Sequence, residues 1–313
     1  MKLMLATDMD LAKIKFPMIG MCKIDGVRGA NIEGVLRGRS LKCHKNRYTT
    51  SFFSEFYFEG FDGELYVGEN SAHPDLCRLT SSALGTYEGE PNINWAVFDY
   101  FGGGAIKEPY SVRLQMLKDY YSTALGLEKF SKVKLVNYWT ITSIEELEKF
   151  EDWALQEGFE GVILRSPDGM YKQGRATVRE NTYLRGKRFI ESEAIVDTFE
   201  EGSTNLNEAQ IDERGLQFRS SHKENKIPNG RIGVMYCKLT QDIIDPITKA
   251  KLFSKDEIVK VSPGKMTHEE SEFYFKNPEK ILGRLIKWKF FPRGMKDEPR
   301  FPNFQSFRLD TDI

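Results

Sequence analysis

The stretch MCKIDGVRGA, residues 21–30, sets a lysine at the end of an apolar run, an aspartate two positions on, a glycine, and then an arginine. Two readings of Lys23 compete. One is a polar residue where a strand gives way to a turn. The other is a nucleophile. A protonated lysine amine attacks nothing, and its ordinary pKa is about 10.4. Burial or neighbouring cations must push that value down before the amine becomes useful. Met18, Ile19 and Met21 lead into Lys23 and predict a buried strand over 18–23, and Gly26 lets the backbone turn close to a ligand.

The whole chain leaves both readings open. It has 313 residues, 40% hydrophobic and 29% charged, a globular composition long enough for two domains. Lys and Arg number 45 against 46 Asp and Glu, a net charge of −1, so any polyanion site must come from local clustering. Cys22, Cys43, Cys77 and Cys237 form no C-x-x-C pair, and no histidine stands at a zinc-like offset. They read as free thiols of a reducing compartment. The start, MKLMLATDMD, has too short an apolar run for a signal peptide or a membrane span, so a soluble intracellular protein is expected.

Periodicity predicts an α+β fold. Residues 27–39 alternate around Gly34 like a hairpin, and 61–67, 94–101 and 161–165 read as strands. Helices are expected over 111–125, with Leu114, Leu117 and Tyr121 on one face, and over 144–157, where Ser143 and Glu146 spell a capping box. From Ala194 onward come short strands separated by Gly, Pro, Asn and charged loops, with one helical piece at 267–276. That pattern predicts a small β-barrel and places a domain boundary near 190–193.

Further motifs share the chain with Lys23. They are RGRSLK (37–42), FDGELYV (61–67), AVFDYF (96–101), EGFEGVILR (157–165), YLRGKRF (183–189) and RFPNFQSFRLD (300–310). Each has a chemical use. An aromatic such as Phe98 stacks on a nucleobase. A strand carboxylate such as Glu64 accepts from ribose hydroxyls. Glu160, beside Gly161, suits Mg²⁺ near a phosphate. Arg185 and Lys187 flank Gly186, so a strand turns both to one side, where they neutralise phosphate and depress the Lys23 pKa.

In this order and spacing, the set resembles the motifs of the covalent nucleotidyltransferases, and is similar in particular to small bacteriophage-type ATP-dependent DNA ligases. The resemblance covers residues 20–310. It implies an N-terminal adenylation domain of antiparallel sheets and helices over 1–191 and a C-terminal OB-fold β-barrel over 192–313. It implies ATP as co-substrate, Mg²⁺ or Mn²⁺ as metal, nicked duplex DNA as partner, and a monomer in the cytoplasm of a bacterial or phage-infected cell. Lys23 becomes the residue that carries AMP. Arg28, Glu64, Phe98, Arg185, Lys187, Arg308 and Asp310 become nucleotide contacts, and Glu160 the metal ligand. Asp25 orients the 3′ end of the nick, and Arg39 holds its 5′-phosphate beside Lys42. Tyr100 remains open as the stacking residue in place of Phe98. Arg185 departs from the family, which usually has lysine there, and Thr311 stands where a basic residue often follows the aspartate.

Two basic stretches offset the neutral total. Residues 214–231 carry five Lys or Arg against one Glu, and 284–300 carry six against two acids. Arg219, Ser220, Ser221, Lys223 and Lys226 suit a phosphate backbone, and 203–230 reads as an excursion that clamps DNA. Competing readings are an RNA ligase, a capping enzyme, or a non-catalytic nick-binding clamp. An NAD-dependent ligase would need zinc-binding cysteines that this chain lacks.

Overall fold

The computed structural model describes every residue except 125, 187–188, 212–216, 221, 223–224, 246–248, 293–294, 296 and 309–313, and the side chain of Phe218. The chain divides into two compact units, residues 1–187 with 211–217, and residues 188–210 with 218–313.

The first unit is built on two five-stranded sheets. One runs in the order Thr7–Asp8, Tyr183–Gly186, Gly161–Arg165, Met18–Lys23, Tyr138–Ile141. The other runs Val35–Arg37, Val27–Ile32, Phe61–Val67, Ile93–Tyr100, Val133–Leu135. The largest core cluster joins Met21, Ile163 and Tyr183 of the first sheet to Val27, Leu65, Trp95 and Phe98 of the second. The strands Met18–Lys23, Phe61–Val67 and Gly161–Arg165 fall where alternation predicts them. The hairpin at Gly34 turns through Glu33 (φ 55°) and Gly34 (φ 75°), the pair of left-handed residues that a tight two-residue hairpin requires.

The helix Ile144–Gln156 lays Leu147, Phe150 and Ala154 on Met18, Val162 and Leu164. Its start is half of the expected capping box. Ser143 Oγ accepts the Glu146 N–H at 3.2 Å, but the Glu146 carboxylate takes the N–H and hydroxyl of Thr142 instead of the Ser143 N–H. The reciprocal box occurs elsewhere, between Thr267 and Glu270 at the start of His268–Lys276.

In the second unit, five strands run in the order Ile258–Val261, Lys226–Leu239, Ile190–Asn205, Leu285–Phe291, Arg300–Phe307. Val196, Met235, Cys237, Ile286, Trp288 and Phe290 form its core. A closed barrel is the expectation. The sheet is instead open, and its two edges meet at a single parallel bridge between Ser262 and Asn303. The strands Ile190–Asn205 and Lys226–Leu239 extend well past the core as an antiparallel ribbon, paired as far as Asn205 and Lys226. Bulges interrupt the ribbon between Val196 and Ser203, which is how a long strand pair bends. Among the described residues, no helix is long and apolar enough to cross a membrane.

Candidate active site

Lys23 is the last residue of its strand and stands opposite Gly161, with Met21 opposite Ile163 and Arg185 opposite Ile163 from the other side. A strand turns alternate side chains to one face. Lys23, Ile163, Tyr183 and Arg185 therefore line one wall of a cleft of about 790 Å³, its open mouth included. The second sheet supplies the facing wall through Arg28, Glu64 and Phe98, and Arg39 and Arg175 stand at the same cleft.

Gly26 has a packing role of its own. A Cβ there would stand 2.4 Å from the backbone oxygen of Leu65. The glycine lets the chain leave Lys23 and cross directly onto the strand Phe61–Val67, which sets Arg28 opposite Glu64.

Lys23 Nζ pairs with Glu160 Oε2, and Glu160 is buried. The Glu160 N–H also donates to the Lys23 carbonyl at 3.0 Å, so backbone and side chain both tie the two residues. The electrostatics correct the sequence expectation of a depressed lysine. Burial works against the ammonium, but Glu160, then Glu64 and Asp25, outweigh it and hold the Lys23 pKa above its ordinary value. Glu160 therefore favours the charged form of the Lys23 amine.

Glu64 lies deep enough that burial, against the pull of Arg28 and Lys23, pushes its carboxyl up to about 7. Arg28 is held by a fork that no sequence motif signals. Its Nε and Nη2 donate to Asp62 at 2.6 and 2.7 Å, and Nη2 also reaches the Met4 carbonyl at 3.1 Å. Its guanidinium carbon lies 4.7 Å from the Phe98 ring centroid.

Phe98 and Tyr100 part company at a bulge. Asp62 pairs with Asp99 but Gly63 pairs with Val97, leaving Phe98 as the extra residue. The bulge breaks the two-residue alternation that would keep 98 and 100 on one face. Phe98 faces the cleft. Tyr100 packs edge-on against Phe61 and stacks with Tyr120.

Arg185 Nε is 2.6 Å from Asp8 Oδ1. Burial, then the charges of Arg175, Arg28 and Arg185, hold the Arg39 pKa below its ordinary value. That is the signature of a cation among cations, and an anion placed there would relieve it. Arg175 was missed by sequence reading because its strand, Gly174–Arg175, is only two residues long and belongs to no motif. Asp62 was legible in principle, two positions before Glu64 on the same strand.

Asp25 is half-buried in the loop after Lys23, and Lys42 is exposed. Arg308 lies in the second unit, where its Nε meets Glu193 at 2.6 Å. Arg219 is exposed and donates to the Asn207 carbonyl, and Ser220 gives its carbonyl to Asn205 and Asn207. Lys226 opens the long strand opposite Asn205. Lys187, Asp310, Ser221 and Lys223 lie outside the described residues.

Comparison with known proteins places the chain in a family. A curated DNA ligase of African swine fever virus (strain Badajoz 1971 Vero-adapted) is 21% identical over 141 residues, 45% of this chain and 32% of the viral protein. The match thus spans about a third of that relative's length. The structure of a Chlorella virus DNA ligase-adenylate is 25% identical, covers 99% of this chain and 98% of its own, and superposes with a TM-score of 0.53. A structure from the Lig E DNA ligases shares the fold at a TM-score of 0.64 and 19% identity, covering 98% of this chain and 99% of its own. Residues 4–184, more than half of the chain, match the family described as ATP dependent DNA ligase domain. The chain belongs to the ATP-dependent DNA ligase domain family.

Proposed function

We propose that this protein seals nicks in duplex DNA with ATP through a covalent lysine–AMP intermediate. The observation that carries the reading is the cleft itself. One lysine, tied to a buried carboxylate, shares it with an aromatic face, a second carboxylate and the guanidinium groups of Arg28, Arg39, Arg175 and Arg185. A nucleoside phosphate needs a surface for its base, acceptors for its ribose and cations for its phosphates, and all of these line the same cleft as the amine.

Lys23 Nζ attacks the α-phosphorus of ATP. A nitrogen–phosphorus bond forms and the bond to the pyrophosphate oxygen breaks; one ammonium proton passes to solvent before attack and a second as the phosphoramide forms. The nick's 5′-phosphate oxygen then attacks the same phosphorus and frees Lys23. Finally the 3′-hydroxyl attacks the activated 5′-phosphorus, and AMP leaves. Each step is a displacement at phosphorus, so positioning and charge neutralisation do most of the work. Phe98 stacks on adenine. Glu64 and Arg28 hold the ribose side. Arg185, Lys187 and Arg175 neutralise phosphate, Arg39 with Lys42 grips the 5′-phosphate, and Asp25 orients the 3′ end.

A magnesium or manganese ion would lower the charge on the phosphates and the leaving group. Among the described residues, no group of three or more His, Cys, Asp or Glu side chains stands together. The hard-oxygen chemistry fits nonetheless, because Mg²⁺ takes one or two carboxylates and fills its shell with water and phosphate. Glu160 would be such a carboxylate.

In this reading, residues 1–191 form the adenylation domain and 192–313 an OB-fold domain. Arg308 and Asp310 orient pyrophosphate in the first step, and the monomer works inside a cell. The excursion 203–230 clamps the duplex through Arg219, Ser220, Ser221, Lys223 and Lys226. Deleting it should weaken nick binding and leave Lys23 adenylylation intact; unchanged nick affinity would sink the clamp.

The test of the whole reading uses α-labelled ATP. The protein should become labelled, the K23A variant should not, and nicked duplex DNA should discharge the label. A labelled adduct in K23A, or discharge only by nicked RNA, overturns it.

A further inference from the structure

We infer that Leu41 is a positioning residue for strand joining: it fixes the turn that keeps the Arg39 guanidinium in the cleft. The inference rests on reading Arg39 as the grip on the 5′-phosphate.

The strand Val35–Arg37 ends in a closed loop. The Leu41 N–H donates to the Gly38 carbonyl at 2.9 Å, and the Gly38 N–H donates to the Lys42 carbonyl at 2.8 Å. Arg39, Ser40 and Leu41 are the residues between those closures. A hairpin loop of this length needs a left-handed third residue, and that residue is normally glycine. Here it is Leu41, at φ 66°. A side-chain-bearing residue stays in that conformation only where its surroundings over-determine it, and such positions gather at functional sites.

Two contacts do the determining. The Leu41 side chain packs against the main hydrophobic core. Arg37 Nη1 donates to the Leu41 carbonyl at 3.0 Å. The tip has little else to hold it, since the buried Ser40 Oγ makes no hydrogen bond among the described residues.

The reason for such firm support is electrostatic. Arg39 shares the cleft with Arg28, Arg175 and Arg185. Before an anion binds, like charges push its guanidinium toward solvent, where hydration is better. A glycine at position 41 would relax the backbone, but it would cut the loop from the core and free Arg39 to leave. An apolar anchor in a left-handed conformation gives up some local stability for a preorganised cation.

The experiment isolates one step. Protein already carrying AMP on Lys23 is purified and mixed with nicked duplex, and transfer of AMP to the 5′-phosphate is followed in a single turnover. Leu41→Gly should slow transfer by at least about tenfold, as misplacement of a positioning group does. Its melting temperature should be equal or higher, and its adenylylation by ATP should stay within about twofold of wild type. Arg37→Met, which removes the hold on the Leu41 carbonyl, should slow the same step, and Leu41→Met, which keeps the apolar anchor, should restore it. Wild-type transfer by both Leu41→Gly and Arg37→Met overturns the inference. So does a parallel loss of transfer, adenylylation and melting temperature, which marks Leu41 as merely structural. Arg39→Ala separates the layers: if it transfers AMP normally, the reading of Arg39 fails; if it is slow while Leu41→Gly is normal, only the positioning role fails.

Discussion

Lys23 and Glu160 are joined twice. The Glu160 N–H donates to the Lys23 carbonyl, and the Glu160 carboxylate pairs with the Lys23 ammonium. The same register that ends one strand at Lys23 begins the next at Gly161, so lysine and glutamate meet because of strand pairing. The pair favours the charged form of the amine.

Glu160→Gln should therefore make Lys23 reactive at lower pH. The carboxylate is the chief cause of the raised lysine pKa, and removing an opposite charge lets that pKa fall. Amine acylation of Lys23, read by mass spectrometry between about pH 7 and 11, should show the reactivity of the variant rising earlier than that of wild type. A curve shifted to higher pH, or not shifted, would show that Glu160 does not hold the proton on.

Phe98 and Tyr100 give a second contrast. Phe98→Ala should raise the KM for ATP by about fivefold or more, because a base loses about 1–3 kcal/mol when its stacking partner is removed. Tyr100→Phe should leave that KM within about twofold, since its ring packs with Phe61 and Tyr120. Equal effects from the two substitutions would contradict the division that the bulge makes.

Asp99 tests stability in place of chemistry. It is fully buried and accepts from Arg113 Nε at 2.8 Å and Arg165 Nη2 at 2.6 Å, with both guanidinium groups over the Tyr110 ring. Asp99→Asn leaves two buried cations uncompensated and should cost about 3–5 kcal/mol in urea unfolding. Burial raises the Asp99 pKa, but Arg165 and Arg113 outweigh it and hold the group below its ordinary 3.8. Its stabilisation is thus present above that value and lost as pH falls through the lower folded value. The gap between variant and wild type should persist at pH 4 and close only in stronger acid. A difference under about 1 kcal/mol at neutral pH would refute the argument.

Sequence alone determined the strands that carry the motifs, because alternation and β-branched or aromatic content are local properties. Met18–Lys23, Phe61–Val67 and Gly161–Arg165 were legible to the residue. It also determined the chemical kinds present: a lysine, two carboxylates, an aromatic ring and cations in family order. Tertiary structure decided how they act. The protonation of Lys23 depends on Glu160, which is 137 positions away in the chain. That Phe98 and not Tyr100 lines the cleft depends on a bulge, which exists only once two strands are paired. Arg175 joins the cleft because its two-residue strand pairs with Met4–Leu5 far upstream. Gly26 is required by the Leu65 carbonyl, a neighbour that only folding brings beside it. Residue type and local pattern are written along the chain, whereas electrostatic environment and facing are set by neighbours that only folding supplies.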